Sequence, residues 1–141
     1  MTEVKFTIPG KPVGKGRPRF VRATGRTYTP DKTVVYENWV RQCWKDGSFP
    51  KLTGPVTAWI YAYFPIPKSA TKKKRAEMES GMIPYTGKPD TDNLAKCILD
   101  SLNELAFDDD SIVWNLVVNK GYSNDPRCEV ALFGEEEPCT E

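Results

Sequence analysis

Hydrophobic and polar residues alternate along "VKFTI" (4–8), which predicts a strand with Val4, Phe6 and Ile8 turned inward. Pro9 and Gly10 end it. The segment "GKPVGKGRPRFVRATGR" (10–26) holds too much glycine and proline for a regular element. After "TYTP" the apolar residues take a helical period. Thr29 is the expected N-cap, Pro30 fits the first helical position, and Asp31 suits the positive end of the dipole. This helix should run to about Lys45, with Gly47 just past it, and bury Val35, Trp39, Val40 and Cys43. "VTAWIYAYF" (56–64) is the clearest strand. One face carries Val56, Ala58, Ile60, Ala62 and Phe64, and the other Thr57, Trp59, Tyr61 and Tyr63. Both faces are apolar enough to be covered, one by helices and the other, as one option, by a second subunit. The aromatic stripe could also meet DNA bases, although packing is its commoner use.

Residues 65–88 change character. A proline start, a basic run from Lys72 to Arg75 and a Gly/Pro-rich end predict a mobile basic flap with a short helix near Ala70–Glu79. A second amphipathic helix is expected over 91–105. "SIVWNLVVNKGY" (111–122) and "RCEVALF" (127–133) read as strands, and the turn "SNDP" (123–126) predicts that they pair as an antiparallel hairpin. The acidic tail 134–141 is expected to fray. The order is β-α-β-flap-α-β-β. The expected fold is a single α+β domain over 1–141, with a mixed sheet of about four strands and two helices packed on it.

Composition narrows the chemistry. The length of 141 residues suits one modest core. The chain has no histidine, so Ser-His and Cys-His catalysis are excluded. Its four cysteines form no CxxC pair, which argues against structural zinc. Acid–base or metal chemistry therefore falls to carboxylates, lysine, tyrosine or water. No apolar run reaches the roughly 18 residues of a membrane span, and "MTEVKFTIPG" lacks a signal peptide's apolar stretch. A cytoplasmic location is expected.

Charge changes the picture further. Residues 1–89 hold 17 Lys and Arg against 6 Asp and Glu, whereas 90–141 hold 3 against 13. A basic surface beside an acidic cluster suits a protein that grips a polyanion and sets metal-bound carboxylates against it. The two halves could equally attract each other within the fold.

The densest charge lies in "KPDTDNLAKCILD" (88–100). On a helical wheel Asp92, Lys96 and Asp100 stand at i, i+4 and i+8, drifting about 40° per step. Asn93 and Asn103 share that arc, while Leu94, Ile98, Leu102 and Leu105 lie opposite, with Leu99 at their edge. Asp90 precedes the helix, and "FDDDS" (107–111) follows it with Asp108, Asp109 and Asp110. Two aspartates one residue apart, joined by acids from a later loop, can hold Mg²⁺, which prefers oxygen ligands and keeps waters that substrate replaces. Lys96 could then stabilise charge on a phosphate. Each feature also has an ordinary use: Asp90 or Asp92 as a cap, Lys96–Asp100 as an i,i+4 pair, and Asp108–Asp110 as a polar turn.

Together, "KPDTDNLAKCILDSLN", "AFDDDSIV", "FTIPGKPVGKGRPRF" and "GRTYTPDKT" resemble the RusA-type Holliday junction resolvases of bacteria and their phages. The resemblance covers most of the chain. It implies a homodimer that cuts four-way DNA junctions by paired nicks with Mg²⁺, one or two ions per subunit and Mn²⁺ able to substitute, in a bacterial or phage-infected cell. No membrane and no small-molecule cofactor are implied. By position it makes Asp90, Asp92 and Asp110 the metal-binding and catalytic aspartates and Lys96 the essential lysine. Asp109 is implied as a further ligand, with Asp100 and Asn93 in support. Ile112 stands where the family often has glutamine, and Glu104 where it often has glycine. The expected phosphate contacts are Lys11, Lys15, Arg17, Arg19, Arg22 and Arg26 in the first loop and Lys72, Lys73, Lys74 and Arg75 in the flap. Two other readings stay open: a structure-specific DNA-binding protein without catalysis, and a metal-dependent nuclease of flaps or forks.

Overall fold

The computed structural model describes residues 1–16, 19–28 and 30–138. Six strands, three α-helices and a 3-10 turn follow one another: β1 (Thr2–Pro9), β2 (Arg19–Val21), β3 (Arg26–Tyr28), α1 (Asp31–Asp46), β4 (Leu52–Pro65), α2 (Lys72–Glu79), α3 (Thr91–Leu102), the turn Asp110–Ile112, β5 (Val113–Ser123) and β6 (Arg127–Glu136). The four long strands form one mixed sheet in the order β1-β6-β4-β5, in which only β4 and β5 run parallel. The α+β class and four-stranded sheet agree with the sequence pattern. Among the described residues no helix is long and apolar enough to cross a membrane.

One face of the sheet is the core. Val4, Phe6 and Ile8 of β1, Val56 to Phe64 at alternate positions of β4, and Cys128, Val130 and Leu132 of β6 are all buried. They pack with α1 and α3. Helix α3 contributes Leu94, Ile98 and Leu102, each without exposed surface. Its charged side is thereby turned outward.

Five expectations change. First, β5 and β6 do not form a hairpin, because β4 lies between them. Ser123 is in register with Pro65 and Arg127 with Tyr63, so the link 124–126 bridges the end of β4. Two strand spacings are about 9.6 Å, within reach of so short a link. Second, α1 buries Thr33, Tyr36, Glu37, Val40 and Trp44, whereas Val35 and Trp39 are exposed and Cys43 is half-buried. The helix is rotated by about one residue from the expected stripe. Buried Glu37 is made tolerable by Lys15, whose Nζ lies 3.1 Å from Glu37 Oε2. Trp39 uses its exposed position to donate Nε1–H to the Pro9 carbonyl at 2.8 Å. Third, the stretch 10–26 contains part of a regular element after all, the small β2–β3 hairpin turning at Gly25, φ 66°. Fourth, α3 stops at Leu102 rather than near 105, because Asn103 leaves helical dihedrals and Glu104 takes φ 69°. Fifth, 134–136 extend β6 and the Glu137 N–H donates to Lys51 O at 2.8 Å, so the acidic tail is tied down at its start.

The expected cap Thr29 lies outside the described residues, and Pro30 takes the N-cap position of α1. The flap holds the expected short helix, α2, capped by Thr71, whose Oγ1 accepts from Lys74 N at 3.2 Å. It packs on β5.

Candidate active site

Helix α3 presents Asp92 and Lys96 to solvent, with Asp100 half-buried one turn further on. Two ordinary explanations for this row fail. Asp90 occupies the N-cap position, but its side chain makes no capping hydrogen bond. Asp100 does not pair with Lys96. Its Oδ2 lies 3.3 Å from Lys15 Nζ instead, and Lys96 has no ion pair among the described residues. An exposed carboxylate and an unpaired ammonium thus remain one turn apart on the same side of α3.

The 3-10 turn adds the later acids and distinguishes among them. Asp108 is drawn away to Lys51. Asp109 caps the turn: its Oδ2 accepts from Ser111 N at 3.1 Å, and hydrogen bonds from Ser111 hold its carboxyl below the usual range. Asp110 faces α3. Its N–H donates to Asn103 Oδ1 at 2.8 Å, which ties the turn to the end of α3. Burial, then the charges of Asp109 and Asp100, push the Asp110 carboxyl up, and Lys96 opposes them. Lys96 and Asp100 are thus near enough to Asp110 for their charges to act on it. Asp90 and Asp92 sit at the other end of the same face.

The basic residues divide similarly. Lys11 lines a groove with Lys32 and Lys88, beside Asp90 and Asn93. None of these three lysines has an acidic partner among the described residues. Lys15 lines the same groove, and its ammonium is paired internally with Glu37 and Asp100. Lys72, Lys73 and Lys74 are exposed on α2, while Arg75 donates to Pro67 O at 3.3 Å. Arg22 and Arg26 are exposed around the β2–β3 turn. Arg17 and the Arg19 side chain lie outside the described residues. Lys32 and Lys88 were missed in the sequence. A cation in the first turn of α1, against the helix dipole, was the available signal for Lys32.

These donors suit a hard cation in kind: all are carboxylate oxygens on an accessible face, and the crowding of Asp100 and Asp110 is a repulsion that a cation would relieve. In arrangement they are more open. Among the described residues no three acidic or thiol groups converge closely enough to hold an ion as they stand.

Residues 9–132 match the family described as Endodeoxyribonuclease RusA. The chain belongs to that family. It is also similar to the "Uncharacterized protein YqaN" of Bacillus subtilis (strain 168), with 39% identity over 135 residues, covering 92% of this chain and 94% of that protein. The match spans every element of the site, from the loop at Lys11 to the turn at Asp110.

Proposed function

We propose that this RusA-family chain is a Mg²⁺-dependent endonuclease that resolves four-way DNA junctions by paired nicks, acting as a homodimer. The observation that carries the reading is the Asn103 hydrogen bond that ties Asp110 to the end of α3, the helix that begins with Asp90 and Asp92. Acids beside a polyanion weaken binding unless chemistry needs them. Here they sit next to a groove whose Lys11, Lys32 and Lys88 have no acidic partner among the described residues.

Asp90, Asp92 and Asp110 would hold the divalent ion, with Asp109 adjacent. When bound, such an ion supplies charge neutralisation and lowers the pKa of an attacking water. The protein's own part is positional. Lys11, Lys32 and Lys88 receive the backbone beside Asp90, and Lys72–Lys74 extend the basic surface along α2. Lys96, with no acidic partner among the described residues, offers its ammonium to charge developing on the phosphate. Lys15 keeps Asp100 neutralised, so that Lys96 is not drawn into an i,i+4 pair.

The homodimer reading rests on the sheet's outer face. Trp59 is 52% exposed and packs edge-on against Phe133, beside the stacked rings of Tyr61 and Tyr63. Among the described residues, α1 and α3 pack on the opposite, core face. A second copy there would give a two-fold pair of sites for a near-symmetric junction.

The deciding experiment incubates the protein with a synthetic four-way junction, with and without Mg²⁺. Symmetric nicks are expected only with the metal. Asp92→Asn is expected to cut at least about 100-fold more slowly while binding the junction as before. Tight binding with no metal-dependent nicks would instead identify a structural DNA-binding protein, and faster cutting of flaps or forks would reassign the substrate.

A further inference from the structure

Residues 83–90 lead into α3 without regular structure, yet the backbone immediately before Asp90 is held at three consecutive carbonyls. Lys120 Nζ, from β5, donates to Gly87 O at 2.8 Å and to Pro89 O at 3.1 Å. Tyr85 Oη donates to Lys88 O at 2.7 Å. Buried or constrained backbone acceptors normally find partners in a ladder or in water. Here two side chains take that role for the whole approach to the helix.

Both side chains are themselves anchored. The Tyr85 ring stacks on fully buried Phe64, with centroids 3.8 Å apart and an interplanar angle of 8°, and meets Tyr122 edge-on at 5.3 Å. Tyr85 N–H donates to Lys120 O at 3.2 Å, and the Lys120 ammonium lies 5.5 Å from the centre of the Tyr85 ring. On the other side of the loop, a Cβ at Gly14 would stand 2.5 Å from Pro89 Cβ, so the N-terminal loop closes against Pro89. From this clamp the chain enters α3 directly, with Asp90 O accepting from Leu94 N at 3.0 Å.

Lys120 is one of only three cations after residue 89, and the simple reading makes it a phosphate contact. Its hydrogen bonds point inward instead. We propose that Lys120, with Tyr85, is a positioning residue: it ties the loop carrying Asp90 to the central sheet and so fixes Asp90 and Asp92 relative to the rest of the site. The proposal rests on the nuclease reading for its consequence, but not for its physical content. Displacing a reacting group by about 1 Å can cost on the order of 100-fold in rate, and losing an outer partner of a metal ligand typically costs 10–100-fold, roughly, in activity or metal affinity.

The test uses the full chain with Lys120→Met, which keeps the stem and removes the donors, and Tyr85→Phe, which removes one hydrogen bond and keeps the stack. Hydrogen exchange, read by mass spectrometry on peptides spanning 85–94, reports the clamp itself. Exchange there should accelerate at least about 10-fold in Lys120→Met, and less in Tyr85→Phe, with the sheet unchanged. In parallel, single-turnover cutting at saturating junction should fall about 100-fold in Lys120→Met, with a higher Mg²⁺ requirement and junction affinity within about two-fold of wild type. Unchanged exchange at 85–94 in both variants overturns the proposal whatever the activity. Weakened junction binding with unchanged saturated rate and exchange also overturns it, by making Lys120 a DNA contact. If the wild type does not cut but exchange responds as expected, the nuclease reading fails and the clamp stands.

Discussion

The two faces of the central sheet carry similar amounts of apolar side chain and have opposite fates. The inner face is buried under α1 and α3, with Ile8, Val56, Ala58, Ala62, Phe64 and Leu132 wholly enclosed. The outer face sets Trp59, Tyr61, Tyr63 and Phe133 among Lys5, Glu129 and Arg127, whose guanidinium lies 4.1 Å from the centre of the Tyr63 ring. Enclosed aliphatic residues and phenylalanines line one side, and partly exposed aromatic residues with polar neighbours line the other. The difference separates a folding surface from the face proposed to receive a second copy.

The strongest way to break this comparison is to empty the inner face. Phe64→Ala should destabilise the chain by about 3–5 kcal/mol, because the enclosed site cannot collapse fully. Chemical denaturation would show this, and a loss below about 1 kcal/mol would mean that the inner face is not the core it looks to be. Phe64 also supports the Tyr85 stack, so cutting should fall with stability.

Alkaline pH probes the same face without mutation. Burial pushes the Cys97 thiol up to about 12 and the Cys128 thiol up to about 11, from an ordinary value of 9.0. A raised folded-state pKa means that the unfolded chain releases its proton first. Stability should therefore be intact below pH 9 and fall as pH rises toward 11–12, by roughly 2–4 kcal/mol for each thiol at most. Lys15, raised through its contacts with Glu37 and Asp100 against the opposing effect of burial, adds loss of the same sign above 10.5. Urea midpoints across this range check the slope. A flat profile would mean that these thiols are reached by water in the native state.

The outer face should show the smallest effect on folding and a large one on association. Trp59→Glu is expected to change the stability of a single subunit by no more than about 0.5 kcal/mol. Self-association, followed by sedimentation, should weaken by about 100-fold or more, as for a central aromatic anchor. Paired nicks should become independent single nicks. A wild type that sediments as a monomer would remove the second copy from this face.

Much of the fold was legible because its signals are local. Val4, Phe6 and Ile8 alternate as a half-buried strand must, and α3 separates leucine from charge around one wheel. The errors came where a second local solution was available that only a distant partner could favour. Helix α1 holds Val35, Trp39 and Cys43 on one row and Tyr36, Val40 and Trp44 on the next. Pattern favours the first, because choosing the second buries Glu37. That choice becomes acceptable only when Lys15 arrives from another segment. The turn "SNDP" likewise fits a hairpin, and nothing near it announces that β4 will insert between the strands.

The sequence by itself determined which chemistry is open to this protein: no histidine, carboxylates spaced along one helix face, and a basic half to meet a polyanion. It also carried the family. Only the tertiary structure gave the three adjacent aspartates separate partners, since Lys51 takes Asp108, Ser111 takes Asp109, and Asn103 holds the Asp110 backbone at the end of α3. The same holds for Lys15 and Lys120, cations that look alike in sequence and are both consumed internally. Residue type and spacing are local properties. The partner that a charge finds depends on elements far apart in the chain.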